Sequence, residues 1–410
     1  MPTPLPSPAG ATPSSSFAPA LWLIAGVHLL NDLFQAVLPA LYPLLQARHG
    51  FSYAQLGAIT LVFHLVGCLG QPAVGAYSDR RPTPALLPTA MLCMALGMLG
   101  LALADGLGGY LLCAALVGLG SSIFHPEGSR AARAAMPERP GLAQSMFQLG
   151  GSIGSATTPL LLALLLGVPL TPLGLGLAGL ALGGFALLRR AQSFAAARPL
   201  SAAAPPSPLA SLAWRHKRRA LWVLCLLLLS KYTYLACMAN YYTFFLIQRF
   251  GLGVAPAQLA LGLFLLAITA GTLLGGPLVD RLGRRRVIIL SILGSSPFAL
   301  ALPWVPLALA LLLSVLVGLL IASAFAAILL LAQDMLPGRQ GLVAGGFFGL
   351  TFGVSGIAAA ALGSLADHYG LPVTFAAASA LPLCGLLALR LPASPTPIRP
   401  AGPGEPAPPR

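Results

Sequence analysis

The chain has 410 residues, of which 57% are hydrophobic and only 8% charged, with a formal net charge of +14. A soluble domain carries about 45–50% apolar and about 25% charged residues, so a water-soluble fold is excluded. Nucleic acid is excluded as a partner as well, because the basic residues stand in short clusters between apolar runs and form no continuous face.

Residues 1–20 contain no Lys or Arg and lack the apolar core of a secretory signal, so they read as a disordered tail. A helix needs about 20 apolar residues to cross a bilayer. Windows of that kind fall at 21–44, 54–77, 84–104, 109–134, 142–167, 172–190, 220–248, 257–279, 287–305, 307–333, 342–364 and 372–391. Twelve such windows predict an all-α membrane protein built as two six-helix bundles, 21–190 and 220–391. A Pro/Ala-rich basic linker, 191–219, joins the bundles, and 392–410 forms a second disordered tail. The six cysteines are scattered through apolar segments without CxxC spacing and read as small packing residues, with no metal-ligand cluster.

Numbering the windows from an inner N-terminus places 20 of the 23 Lys and Arg residues on one side. Only Arg48 and Arg249 fall outside, and Lys231 lies within a span. By the positive-inside rule both termini are cytoplasmic. An odd error in the number of spans would scramble this asymmetry.

The two halves repeat. "GAYSDRR" (75–81) follows the second span and "GPLVDRLGRRR" (276–286) follows the eighth, which aligns Asp79 with Asp280. "MPERPGL" (136–142) aligns with "LPGRQGL" (336–342). Repeats of matching topology are a signature of secondary transporters, whose substrate site lies near the midplane between the halves.

Several charges lie inside the spans: Asp32 in the first, His125, Glu127 and Arg130 toward the inner end of the fourth, and Lys231 in the seventh. Each costs about 2.5–3.5 kcal/mol at a helix centre unless it pairs or faces a wet cavity. Pro126 removes a backbone donor beside Glu127 and predicts a break or kink there. Asp32, Glu127, Arg130 and His125 are therefore the candidate proton-coupling groups, and His28 and His64 are second choices. Lys231, with Tyr234, Tyr241 and Tyr242 along the seventh span, suits an organic substrate carrying an anionic group. Asn31 and Gln35, which flank Asp32, complete the candidate substrate contacts. Helix packing and an i,i+3 pair between Glu127 and Arg130 are the structural alternatives for these residues.

The pattern G-x-x-x-D-R-x-G-R-R resembles the loop motif of the major facilitator superfamily. Gly276, Asp280, Arg281, Gly283, Arg284 and Arg285 fit it fully, whereas the first copy keeps Gly75, Asp79, Arg80 and Arg81 but lacks the later glycine. The resemblance implies that Gly75, Asp79, Arg80, Gly276, Asp280, Arg281, Gly283 and Arg284 form a cytoplasmic gate that latches helix ends in one access state. "GLGSSIFHPEGSRAAR", "GLAQSMFQLGGSIGS" and "SKYTYLACMANYYTFFLIQRFGL" are more specific and resemble the fosmidomycin-resistance branch of that superfamily, which exports antibiotics. That branch implies a monomeric drug:proton antiporter of the bacterial inner membrane, with phosphonate antibiotics such as fosmidomycin among its substrates. Its partners would be a small-molecule substrate, protons and the lipid bilayer. It would use the proton gradient and no cofactor. Ala114, Ser145 and Thr158 depart from patterns common in exporters, so export direction rests on the longer stretches. A proton-coupled uptake symporter for a sugar or organic anion would carry the same fold and similar proton sites. No nucleophile–base constellation or phosphate loop suggests an enzyme.

Overall fold

The computed structural model describes residues 17–81, 83–136, 140–190, 208–336 and 340–392. Both tail ends and most of the linker lie outside these. Twelve helical segments among the described residues are long and apolar enough to cross a membrane. They are α1 Phe17–His49, α2 Tyr53–Arg80, α3 Leu86–Leu103, α4 Leu107–Ala135, α5 Pro140–Leu165 and α6 Leu170–Arg190. The second half follows with α7 Trp214–Phe250, α8 Val254–Leu282, α9 Arg284–Trp304, α10 Leu307–Met335, α11 Gln340–Tyr369 and α12 Leu371–Arg390. The described residues contain no strand. In hydrocarbon every peptide group needs an internal partner, which a helix supplies along its whole length. Leu69, Leu103 and Leu164 are 73%, 72% and 82% exposed, a distribution suited to a lipid-facing surface.

The short connections are made by local chemistry. Gly50 and Gly251 end α1 and α7 at φ values of 69° and 67°, a left-handed turn that favours glycine. Ser52 then caps α2 by accepting from the Gln55 amide while the Gln55 side chain returns to the Ser52 amide.

Two local expectations are corrected. The segment read as linker up to residue 219 is already helical from Trp214, because Arg215–Arg219 are helix-compatible residues that a hydropathy window cannot see. Of the break or kink expected at Pro126, no break occurs: α4 runs continuously through it. Irregular backbone lies instead in the second half. α10 is interrupted at Ser323, α9 contains a π-helical turn at Ile289–Leu293, and the second half of α12, Leu381–Arg390, is a 3-10 helix.

Packing repeats between the halves. α1 lies against α5 and α4, α2 against α4, and α3 against α6; correspondingly α7 lies against α11, α8 against α10, and α9 against α12. The bundles meet through two related pairs, α2 with α11 and α5 with α8. Hydrogen bonds crossing between bundles begin at the end away from the termini. There Gln258 Nε2 donates to the Ala40 carbonyl (2.5 Å) and Gln248 Nε2 to the Tyr53 hydroxyl (2.6 Å). Deeper in, Thr60 Oγ1 donates to Asn240 Oδ1 (2.6 Å), Thr269 Oγ1 to the Ser152 carbonyl (3.3 Å) and Cys68 Sγ to the Gly349 carbonyl (3.3 Å). At the terminus side, a Cβ added at Gly75 or Gly276 would meet only open space.

Candidate functional site

The site starts with a glycine face. In "GGSIG" on α5, Cβ atoms added at Gly150 and Gly154 would lie 2.2 Å from the Ala25 carbonyl oxygen and 2.0 Å from that of Leu29. Hydrogen in place of a methyl group lets α1 approach within backbone contact. Gly151 leaves room between them for a cluster, since its added Cβ would fall 2.5 Å from Asp32 Oδ2 and 2.6 Å from His28 Nε2.

Asp32 lies one turn beyond His28 and opposite His125 of α4. Their Nε2 atoms stand 3.4 Å and 3.6 Å from Asp32 Oδ1. Each imidazole is oriented from its other nitrogen. His28 Nδ1 meets the Phe147 carbonyl at 2.6 Å and His125 Nδ1 the Ser121 carbonyl at 2.9 Å. A carbonyl only accepts, so Nδ1 carries a hydrogen in both rings and Nε2 is the nitrogen turned toward the carboxylate. Asn31 Nδ2 (2.9 Å) and Gln35 Nε2 (2.7 Å) donate to Asp32 Oδ1. In this state the two amides read from the sequence as substrate contacts serve the carboxylate. The two imidazoles and Asp32 bring three possible ligand atoms within 4.8 Å, a grouping that linear spacing did not reveal. Gln35 also lines a small cavity with Pro39, Tyr42, Thr60 and Phe63.

A second cluster ties α4 to the inner end of α2. Ser78 Oγ donates to Glu127 Oε1. Arg130 donates to the Ser78 carbonyl (3.0 Å) and hydroxyl (2.5 Å), and its Nη2 lies 3.4 Å from Glu127 Oε1. Glu127 is 8% exposed, so its charge is met by the guanidinium and not by water. The i,i+3 pair weighed as the structural alternative is present, and Ser78, which the sequence did not single out, stands between its members.

Lys231 occupies the C-terminal bundle at 2% exposure. Its Nζ donates to the Ala322 carbonyl at 3.4 Å, beside the interruption in α10 that frees backbone carbonyls. The ammonium also lies 5.2 Å from the Tyr232 ring centroid and 5.8 Å from that of Phe325. Among the described residues no carboxylate lies within ion-pair distance of it. The lysine is sealed from the solvent in this state and does not face the wet cavity that an unpaired charge in a span led one to expect.

The two ionisable groups are not remote from one another. Phe348 and Phe352 occupy one face of α11, one turn apart. Phe352 lies 6.1 Å from His125, and Phe348 lies 5.1 Å from Phe325, between ring centroids. The internal repeat recurs here, because Tyr232 and Phe325 stand 200 residues after Asp32 and His125. The first pair is ionisable and the second aromatic, and the rings of the second pair lie 6.1 Å apart.

The tyrosines of α7 are packing residues in this state. Tyr234, Tyr241 and Tyr242 are all buried, and Tyr241 donates to the Ala359 carbonyl at 2.6 Å. Of the gate residues, Gly75 and Gly276 face open space, Arg80 and Arg281 are exposed, and Gly283 joins α8 to α9 at φ 81°. The side chains of Asp79 and Asp280 lie outside the described residues. Arg284 forms an ion pair with Asp334 at the end of α10, and Arg285 donates to the Leu389 carbonyl at 2.7 Å. Asp334 was missed in the sequence, although an acid at a span's end opposite a basic loop was the available signal.

A two-bundle fold with a carboxylate cluster in one half and a buried cation in the other is the construction of a membrane transporter. The chain matches the Major Facilitator Superfamily over residues 24–256 and 233–409, and it belongs to that family. It is 44% identical over 395 residues to the fosmidomycin resistance protein of Escherichia coli (strain K12), covering 94% of this chain and 96% of that one. It is 38% identical over 397 residues to the uncharacterized MFS-type transporter YfnC of Bacillus subtilis (strain 168), covering 93% and 94% respectively. Among solved structures, a bacterial homologue of the human lysosomal transporter Spinster, inward-facing and occupied, superimposes with a TM-score of 0.73. It shares 13% identity and covers 93% of this chain and 96% of its own. A mutant form of the nucleoside transporter NupG gives 0.67 at 15% identity, with coverage of 90% and 98%. The protein is thus a multi-pass membrane transporter of this fold.

Proposed function

We propose that the protein is a monomeric, proton-coupled antiporter that exports drugs across the bacterial inner membrane by alternating access. Phosphonate antibiotics such as fosmidomycin belong to its substrates, and both termini lie in the cytoplasm. It performs no catalysis and takes no cofactor beyond the proton gradient. The observation that carries this reading is the division of charge on either side of one face of α11. Asp32 with its imidazoles lies in the first bundle. Lys231, with no carboxylate at ion-pair distance among the described residues, lies in the second. The similarity to the fosmidomycin resistance protein over almost the whole chain supports the substrate class and the direction.

In this reading Asp32 and Glu127 carry the coupling protons. Their proton affinities depend on hydration and on neighbouring charge, and alternating access alters both. His125 orients toward Asp32, and Arg130 holds Glu127 ionised in one state. Lys231 receives the anionic group of the substrate when the bundles open, with Tyr234, Tyr241, Tyr242, Asn31 and Gln35 lining the path. Asp79, Arg80, Asp280 and Arg281, with Gly75, Gly276, Gly283 and Arg284, form the cytoplasmic gate. Exchange follows because proton and substrate favour different states, and a ligand shifts an equilibrium only by its differential affinity.

The test is proton release from purified protein on addition of fosmidomycin. The wild type releases protons, whereas Asp32→Asn and Glu127→Gln bind drug without release. Normal release by both variants removes the coupling assignment.

A further inference from the structure

The end of the molecule away from the termini is closed by a contact that no motif announced. The first turn of any helix leaves backbone N–H groups without partners. In α2 the Ser52 side chain serves the Gln55 amide. The amides of Tyr53 and Ala54 are served from the other bundle. Asp367, near the end of α11, accepts from Tyr53 N through Oδ1 and from Ala54 N through Oδ2, both at 2.8 Å. One carboxylate thus spans the bundle interface with two charge-assisted hydrogen bonds, placed at the positive end of a helix dipole.

Two further contacts from the second bundle hold Tyr53. Gln248 Nε2 donates to the Tyr53 hydroxyl at 2.6 Å, and the Tyr241 hydroxyl lies 3.3 Å from the Tyr53 carbonyl. The helices approach closely beneath it, since a Cβ added at Gly363 would lie 2.3 Å from the Tyr53 carbonyl oxygen. The related pair of helices lacks the device. α8 starts with no side-chain cap, and Gly167, beyond the end of α5, stands 200 residues before Asp367. The carboxylate clamp is therefore one-sided, and among these contacts Asp367 alone supplies a charge.

We infer that Asp367 is the positioning residue that holds the outer ends of the two bundles together, so that its carboxylate sets the balance between the two access states. The inference rests on the alternating-access reading above. Opening this end requires Asp367 to leave the α2 terminus, whose amides then pass to water. Losing two charge-assisted bonds at an exposed site shifts the balance toward the open form on the order of tenfold.

The experiment uses the full chain in lipid nanodiscs, with its native cysteines replaced. Spin labels at residues 48 and 249, exposed ends of α1 and α7 in different bundles, report the separation of the outer ends. Asp367→Asn and Asp367→Ala are expected to raise the long-distance population about tenfold. Ser52→Ala loosens the same helix end without touching the other bundle and is expected to leave it unchanged. Unchanged distances in both Asp367 variants, or an equal shift in Ser52→Ala, overturn the clamp. A single distance in every protein, with and without fosmidomycin, overturns the clamp and the alternating-access reading together. Two distances in the wild type that ignore Asp367 overturn the clamp alone.

Discussion

Asp32 and Lys231 meet the same problem, a charge in an apolar layer, in different ways. Asp32 collects two amide donors and faces two imidazoles held from behind by carbonyls. Lys231 has one backbone carbonyl and two ring faces, which compensate an ammonium only in part. A neutral residue of similar length should therefore be tolerated there, because removing a poorly compensated buried charge costs little stability. Lys231→Met is expected to keep its thermal midpoint while losing affinity for anionic substrates by about tenfold to a hundredfold, the worth of one charged hydrogen bond. Equilibrium binding of an anionic and a neutral substrate checks this, and an equal loss for both would remove the anion-anchor role. Asp32, Glu127 and Lys231 were legible in the sequence because an ionisable residue stands out against so apolar a background. Asn31 and Gln35 were legible only as polar neighbours, since which way an amide turns is a three-dimensional matter. Ser78 and Asp367 were not legible, because their importance lies in partners 49 and more than 300 residues away.

Among the elements, the contact between α1 and α5 holds the Asp32 cluster in place. It exists because glycine occupies the facing positions of α5, so a side chain there pushes α1 and moves Asp32 with it. Gly154→Val, whose Cβ would start 2.0 Å from the Leu29 carbonyl oxygen, is expected to destabilise the protein by about 1–3 kcal/mol or more. Gly176→Ala on α6 meets nothing within 4 Å and serves as the control with no loss of stability. Thermal unfolding in detergent measures both. Helix existence was readable for all twelve spans, because the apolar length needed to cross a bilayer is a strong constraint. Helix regularity was not readable. Proline suggested a break or kink in α4, whose helix runs on unbroken, whereas α10 is interrupted at Ser323 without a proline. The interruption depends on what packs around the segment, and neighbouring side chains can satisfy a freed carbonyl, as Lys231 does at Ala322.

At the scale of the whole molecule, the basic residues and the two-fold packing bear on one arrangement. With both termini inside, residues 48 and 249 lie outside and residues 81 and 286 lie inside. Single cysteines placed at these positions in a cysteine-free chain are expected to react with a membrane-impermeant maleimide in intact cells only at 48 and 249. Labelling of 81 or 286 from outside would reverse the orientation. The sequence by itself determined the membrane environment, the number of spans, the repeat and the identity of the buried charges, because bilayer thickness and the cost of charge in hydrocarbon act on each segment separately. Only the tertiary structure decided which groups meet. It brought His28, Asp32 and His125 together, sealed Lys231, and clamped α2 to α11 through Asp367. Such contacts depend on how closely two helix surfaces approach, and that distance is a property of pairs of segments.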